Sequence, residues 1–309
     1  MMKQLWIMLI FLGLLVSCGP AAETAPMVET VSSHPTTDVP PTAAPTQAPL
    51  PPAPTVTSQR PTETTTTSPT AEPPTVTSPP ACITLIYGEN AQFEIFSDPA
   101  GPRVFVDVYD PTKLTGPVSA SDILLTTHTH WDHVNEAFQA SFPGEQIFVQ
   151  AGSLSRDGIH IQGLASSHNA GENLQPEGGT NYIYIIDLTG LRLVHFGDIG
   201  QASLTDEQLS ALGAVDIAIT QLNNSYSEMN AANQKGLRLM EQLQPRLIIP
   251  THVNLDTAKL AVAHWPGWYS ETPSLEICQS ALSAETQILF LGQSAQTIPR
   301  YLDLSHWGE

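Results

Sequence analysis

The residues best suited to chemistry stand close together: His128, His130, Asp132 and His133 fall within six positions, directly after the largely apolar run 122–127. Neutral imidazole nitrogens and carboxylate oxygens are ligands for divalent metal ions. Side chains two apart on an extended segment point the same way, so His128 and His130 can converge on one ion just past a strand end. A single histidine is usually a satisfied core or surface residue. Three imidazoles and a carboxylate in six positions are hard to explain by packing. Farther along stand His168 after Ser166 and Ser167, Asp198 after Gly197, and His252 two residues after Pro250, the last two at the ends of apolar runs. Gly197 allows close backbone approach beside Asp198. His195, three residues before Asp198, is expected behind the ligands, orienting one of them. His34, His160, His264 and His306 read as tether or surface histidines.

Such a constellation needs strands that end in loops. Residues 83–87, 92–96 and 104–108 are short β-branched and aromatic runs broken by Gly, Asn, Asp and Pro, the pattern of consecutive antiparallel strands. Further strands are expected at 122–126, 146–149, 159–164, 181–187, 191–196, 215–220, 246–250 and 286–291. A helix is expected from Asp132 and His133 through Ala140. A second follows the capping box of Thr205 and Gln208 and stops at Gly213. A third, 228–244, carries Leu237, Met240 and Leu243 at helical spacing and ends at Pro245. Strands, then alternating strands and helices, then the same again suggest two sheets covered by helices.

Around this domain the chain has three parts. Lys3, the apolar stretch 5–16 and Leu15-Val16-Ser17-Cys18 form a run too short to span a bilayer comfortably, since about twenty apolar residues are needed. It reads as a signal peptide (1–18), and its end resembles a bacterial lipobox in which Cys18 is lipidated, so the mature chain is expected to be extracytoplasmic and anchored to a membrane. Residues 19–81 are rich in Pro, Thr, Ala and Ser and are expected to be a disordered tether, because they cannot bury enough apolar surface to offset chain entropy. Its threonines could carry O-linked sugar on composition alone. Residues 82–309 are long enough for one well-buried domain. The formal charge of −19 persists there, with 25 acidic and nine basic residues after position 81, which argues against nucleic acid as a partner. Cys82 and Cys278 either pair to fasten the two ends of the domain or stand as separate buried thiols.

The pattern His128-x-His130-x-Asp132-His133 resembles the signature of the metallo-β-lactamase superfamily. The likeness extends to Ser166-Ser-His168, to 193–200 around Gly197-Asp198, and to 247–253 around His252, and so covers roughly residues 83–255. It implies an α/β fold, a four-layer αββα sandwich. It also implies two divalent ions, zinc foremost, with manganese or iron accepted by the same ligand types. One ion would be held by His128, His130 and His168 and the other by Asp132, His133 and His252, with Asp198 bridging and with Asp132 and Asp198 as catalytic carboxylates. A pair of ions about 3.5–4 Å apart acidifies a shared water and polarises the bond under attack. The activity implied is hydrolysis of a small ester, lactone or phosphodiester by bridging hydroxide, with a small-molecule substrate that can be anionic because the metals keep the centre locally cationic.

Within the superfamily the phrase around Gly197-Asp198 is most similar to ascorbate-6-phosphate lactonase-like hydrolases. The loop of Asn223, Asn224, Ser225 and Tyr226 departs from the Gly-rich stretch common there, which puts the lactonase substrate itself in doubt. The chain also lacks the glycine that follows the motif in glyoxalase-like and RNA-processing relatives. Trp131, Asn223 and Asn224 are the candidates for substrate contact. A true β-lactamase is disfavoured by the bridging Asp198 and the short gap to His168. A surface binding protein that keeps the metals without turnover is the reading from a different class.

Overall fold

The computed structural model describes residues 82–169 and 179–292. The leader, the tether and Cys18 lie outside the described residues, as does the tail 293–309.

The strands are β1 (Cys82–Tyr87), β2 (Phe93–Phe96), β3 (Val104–Val106), β4 (Ile123–Thr126), β5 (Glu145–Phe148), β6 (Ser153–Arg156), β7 (Ile159–Ser166), β8 (Asn181–Leu188), β9 (Leu191–His195), β10 (Ile217–Thr220), β11 (Leu247–Pro250), β12 (Gly267–Ser270), β13 (Ser274–Cys278) and β14 (Gln287–Leu291). The helices are α1 (Glu136–Ser141), α2 (Asp206–Leu212), α3 (Lys235–Leu243) and α4 (Leu255–His264). One mixed sheet runs β13-β1-β2-β3-β4-β5 and the other β12-β14-β11-β10-β9-β8-β7-β6. As expected, β1, β2 and β3 are antiparallel neighbours.

Alternation along each strand builds the layers. Ile83, Leu85 and Ile95 of the first sheet pack with Ile161, Tyr184, Leu193 and Ile219 of the second to form the core between them. The opposite face of the second sheet, with Val194, Ala218, Ile248 and Ile288, is covered by Leu212, Leu237, Met240, Ala258 and Ala261 from helices. Phe105 and Leu124 on the outer face of the first sheet meet Phe142, just after α1, and Phe138 within it. Helix, sheet, sheet, helix is the four-layer order expected of the metallo-β-lactamase fold.

Three local expectations are corrected. The helix after the histidine motif begins at Glu136, because Asn135 accepts the N–H of Phe138 and caps it there. Asp132 and His133 therefore sit in a turn, closed by His133 N–H to the His130 carbonyl at 3.0 Å. The third helix is confined to α3, since Asn230 and Asn233 side chains take up the backbone N–H groups of residues 230, 232, 233 and 235 that a longer helix would use. The strands β6, β12 and β13 and the helix α4 were not anticipated. Of the two arrangements open to the cysteines, the structure has the bonded one: Cys82 and Cys278 face each other in the register of β1 with β13 and form a disulfide spanning 196 positions.

Candidate metal centre

The parallel neighbours β9, β10 and β11 end at one edge of their sheet, and β7 runs in the same direction because it is antiparallel to β8 and β8 to β9. Each of these strand ends releases a polar residue: His168 after β7, Asp198 after β9, Asn224 after β10 and His252 after β11. The other sheet supplies His128, His130, Asp132 and His133 after β4. Two groups result, one of His128, His130, His168 and Asp198, the other of Asp132, His133 and His252, each with donor atoms within 4.8 Å of one another.

Asp198 joins them. Its Oδ1 lies 3.3 Å from both His133 Nε2 and His252 Nε2. Its Oδ2 lies 3.8 Å from His128 Nε2 and 3.9 Å from His168 Nε2. Yet His128 Nε2, His133 Nε2, His252 Nε2 and Asp198 Oδ1 are buried without a hydrogen bond of acceptable geometry. Buried polar atoms are normally satisfied, and leaving one unpaired costs about 1–3 kcal/mol. Convergent lone pairs of this kind fit a divalent ion, so the donor set passes the test of fitness for metal on its own geometry.

The backs of the ligands are held firmly. Asp107, fully buried at the end of β3, accepts His133 Nδ1–H at 2.9 Å and both the N–H (2.8 Å) and the hydroxyl (2.7 Å) of Thr127. With its hydrogen committed to Asp107, the Thr127 hydroxyl accepts His128 Nδ1–H at 3.1 Å. One carboxylate thus selects the tautomer of two histidines and turns both Nε2 lone pairs toward the centre. Asn181 accepts the N–H of Asp198 at 2.9 Å while donating to the Phe196 carbonyl and the Ser166 hydroxyl. Gly197 has φ +54°, and a Cβ there would stand 2.4 Å from Asn181 Oδ1.

His195 is buried and donates from Nε2 to the Ala91 carbonyl at 2.9 Å, while its Nδ1 accepts the Gly197 N–H at 3.1 Å. Through these bonds it steadies the turn before Asp198. Asn224 is buried and donates to Asp198 Oδ2 at 2.6 Å. Asn223 accepts from the Asn254 amide at 2.9 Å. Trp131 projects outward, 75% exposed. Asp107, Thr127, Asn181 and Ser227, whose hydroxyl donates to the Asp198 carbonyl at 3.0 Å, were missed in the sequence. Only Asp107 left a signal there, as a lone charge inside the apolar run 104–108.

Without metal, the charges arrange themselves around the proton. Burial, reinforced by the charge of His133, lowers the pKa of His128 to about 3. Burial also opposes protonation of His133, but Asp107 and Asp198 outweigh it and raise its pKa to about 10. Burial would raise the Asp198 carboxyl, yet His133 and His252 hold it well below the usual range. Asp107 is likewise held low against its burial, chiefly by His133. Burial keeps His195 neutral. The proton on His133 therefore occupies the place where a cation belongs.

The sequence profile described as the beta-lactamase superfamily domain matches residues 84–252. A UPF0173 metal-dependent hydrolase of Natranaerobius thermophilus is 24% identical over 56% of this chain and 80% of its own length. Among solved structures, a protein of Thermotoga maritima proposed to be a zinc-dependent hydrolase of the metallo-β-lactamase superfamily covers 68% of this chain and 99% of its own, with 18% identity and a TM-score of 0.48. The metallo-β-lactamase fold protein YhfI of Bacillus subtilis covers 68% and 97%, with 16% identity and a TM-score of 0.46. The chain belongs to the metallo-β-lactamase superfamily, and is one of its metal-dependent hydrolases.

Proposed function

We propose that the chain is a binuclear hydrolase of small esters, lactones or phosphodiesters, working outside the cytoplasm on a lipid anchor at Cys18. The observation that carries the reading is the split of Asp198: Oδ1 faces His133 and His252 while Oδ2 faces His128 and His168. A carboxylate so placed is suited to bridge two cations. His128, His130 and His168 would hold one, and Asp132, His133 and His252 the other. When bound, two divalent ions supply Lewis acidity and an acidified water for attack on a carbonyl or phosphoryl centre.

The chain's own part is to hold and orient. Asp107 and Thr127 fix the ring nitrogens, Asn181 and Asn224 fix Asp198 at its backbone and its carboxylate, and the deprotonated Asp198 and neutral His128 are ready to ligate. Zinc, manganese and iron all suit this donor set. The lactonase likeness remains the finer reading of the Gly197-Asp198 phrase. The extracytoplasmic placement is supported by the lipobox pattern and by a disulfide, since such bonds persist in oxidising compartments.

The test is metal content and turnover of chromogenic lactones, esters and phosphodiesters by the full chain beside Asp198→Ala. Close to two metals per chain, with turnover lost in the variant, is expected. A carefully reconstituted chain without bound metal would overturn the assignment.

A further inference from the structure

Lys235 is the one lysine or arginine that is buried among the described residues. Its Nζ donates to the carbonyls of Gly200 at 3.1 Å and Ser227 at 3.4 Å. The carboxylate in its range belongs to Glu228, 3.9 Å away and exposed to water. Taking an ammonium out of water is costly even where hydrogen bonds replace its hydration, so a lysine in this place calls for an explanation.

The position also runs against local preference. Lys235 opens α3, and the N-terminal end of a helix carries partial positive charge that disfavours a cation. Gln234 before it stands at φ +51° and offers no side-chain cap. Local rules broken together at one position are expected where a site, rather than the element itself, sets the residue.

The two acceptors identify that site. Gly200 lies two residues past Asp198, and Ser227 three past Asn224. Ser227 turns its hydroxyl to the Asp198 carbonyl at 3.0 Å, and Asn224 donates to the Asp198 carboxylate. Gly200 in turn abuts the segment of His168: its N–H donates to the Ser167 carbonyl at 2.8 Å, and a Cβ on it would stand 1.8 Å from the His168 carbonyl oxygen. The buried Gln221 amide donates to the Ile199 carbonyl at 2.7 Å, so two consecutive carbonyls past Asp198 have buried donors. The ammonium thus ties together the segments that follow β7, β9 and β10.

We propose that Lys235 is a positioning residue of the metal centre: its ammonium joins the turn after Asp198 to the loop of Asn224 and so sets the place of Asp198 between the two ligand groups. This rests on the reading of the site as a metal centre. A neutral side chain without donors at this position would release both carbonyls and let the carboxylate shift relative to the histidines on either side.

The test is cobalt(II) binding to the full chain, with affinity read by chelator competition and ligand geometry by visible absorption. Lys235→Met keeps most of the length and removes the charge and the donors. It should weaken cobalt binding at least tenfold and shift the visible bands, the scale of losing a group that orients a ligand. Leu239→Ala, at a fully buried position of the same helix, should lower the thermal midpoint yet keep the cobalt affinity and spectrum of the wild type. Should Lys235→Met not fold, Lys235→Gln, whose shorter amide falls short of both carbonyls, is read by the same criteria. A Lys235 variant within tenfold of the wild type, or with an unchanged spectrum, would overturn the assignment and leave the metal centre standing, as would an equal loss in Leu239→Ala. A wild type that takes up no cobalt would overturn the metal centre, and the role of Lys235 with it.

Discussion

Asn224 and Asp198 meet through a 2.6 Å hydrogen bond from amide to carboxylate, with both side chains buried. The bond fixes Oδ2 on the side of His128 and His168 and leaves Oδ1 to His133 and His252. Removing a group that orients a ligand typically lowers metal affinity or activity about 10–100-fold. Asn224→Ala should therefore weaken metal binding and kcat/KM by that order, as read by competitive chelator titration and by turnover. Asn224→Asp should be worse, since a second carboxylate would face Asp198. An alanine variant with unchanged metal affinity would remove Asn224 from the orienting set.

How this arrangement was legible in the sequence depends on the residue. The seven ligand candidates could be read because metal chemistry admits few side chains and because all but His168, which only the family resemblance marked, follow an apolar run. Asp107 showed only as a lone charge in an apolar run and Asn181 not at all, because their work is done across 26 and 17 positions of chain, on His133 and Asp198. Asn224 was singled out for its loop, but as a substrate contact; only the burial of its side chain against Asp198 reveals the holding role. The misplaced helix start at Asp132 has the same origin. Local pattern could not weigh the cap at Asn135 against an apolar run beginning earlier, and α4 was overlooked although Asn254 and Thr257 form a complete capping box.

Asp107 gives the second expectation. It is a fully buried carboxylate whose partners are His133 and Thr127, so Asp107→Ala strands a buried imidazolium in the metal-free protein. Breaking one partner of a buried charged pair costs about 3–5 kcal/mol. Urea denaturation of metal-free Asp107→Ala near pH 6 should show a loss of that size. Asp107→Asn, which keeps the shape and an acceptor, should lose less. A loss below 1 kcal/mol for the alanine variant would mean that His133 is not charged in the metal-free state.

The pH dependence of the metal-free protein follows from two histidines shifted in opposite directions. His133 is raised from 6.5 to about 10, so its contribution is complete below 6.5 and is lost as pH rises through 10. His128 is lowered from 6.5 to about 3, so the unfolded chain binds its proton first and stability falls as pH drops below 6.5. The lowered Asp107 and Asp198 remove further stability as pH falls through their folded pKa values. Stability of the chelator-treated chain should therefore peak near pH 6–7, by denaturant midpoint. Metal displaces the proton on His133, so the gap between metal-loaded and metal-free midpoints should widen from pH 7 to pH 9. A gap that narrows over that range would contradict the assignment of His133 as a ligand.

Gly197 separates site geometry from general stability. It adopts φ +54°, and an added Cβ would meet Asn181 Oδ1 at 2.4 Å and Thr127 Cβ at 2.7 Å. Asn181 holds the Asp198 backbone and Thr127 orients His128, so relieving the clash must shift one or the other. Gly190, in the hairpin between β8 and β9, has φ +85° and nothing within 4 Å of the same hypothetical atom. Both Gly→Ala changes incur the cost of an L side chain at positive φ, about 1–2 kcal/mol. Gly197→Ala should lower the thermal midpoint and also weaken metal affinity at least tenfold, whereas Gly190→Ala should lower the midpoint and leave metal affinity unchanged. Equal metal loss in both would mean that global destabilisation, not the contact of Gly197 with Asn181 and Thr127, governs occupancy of the site.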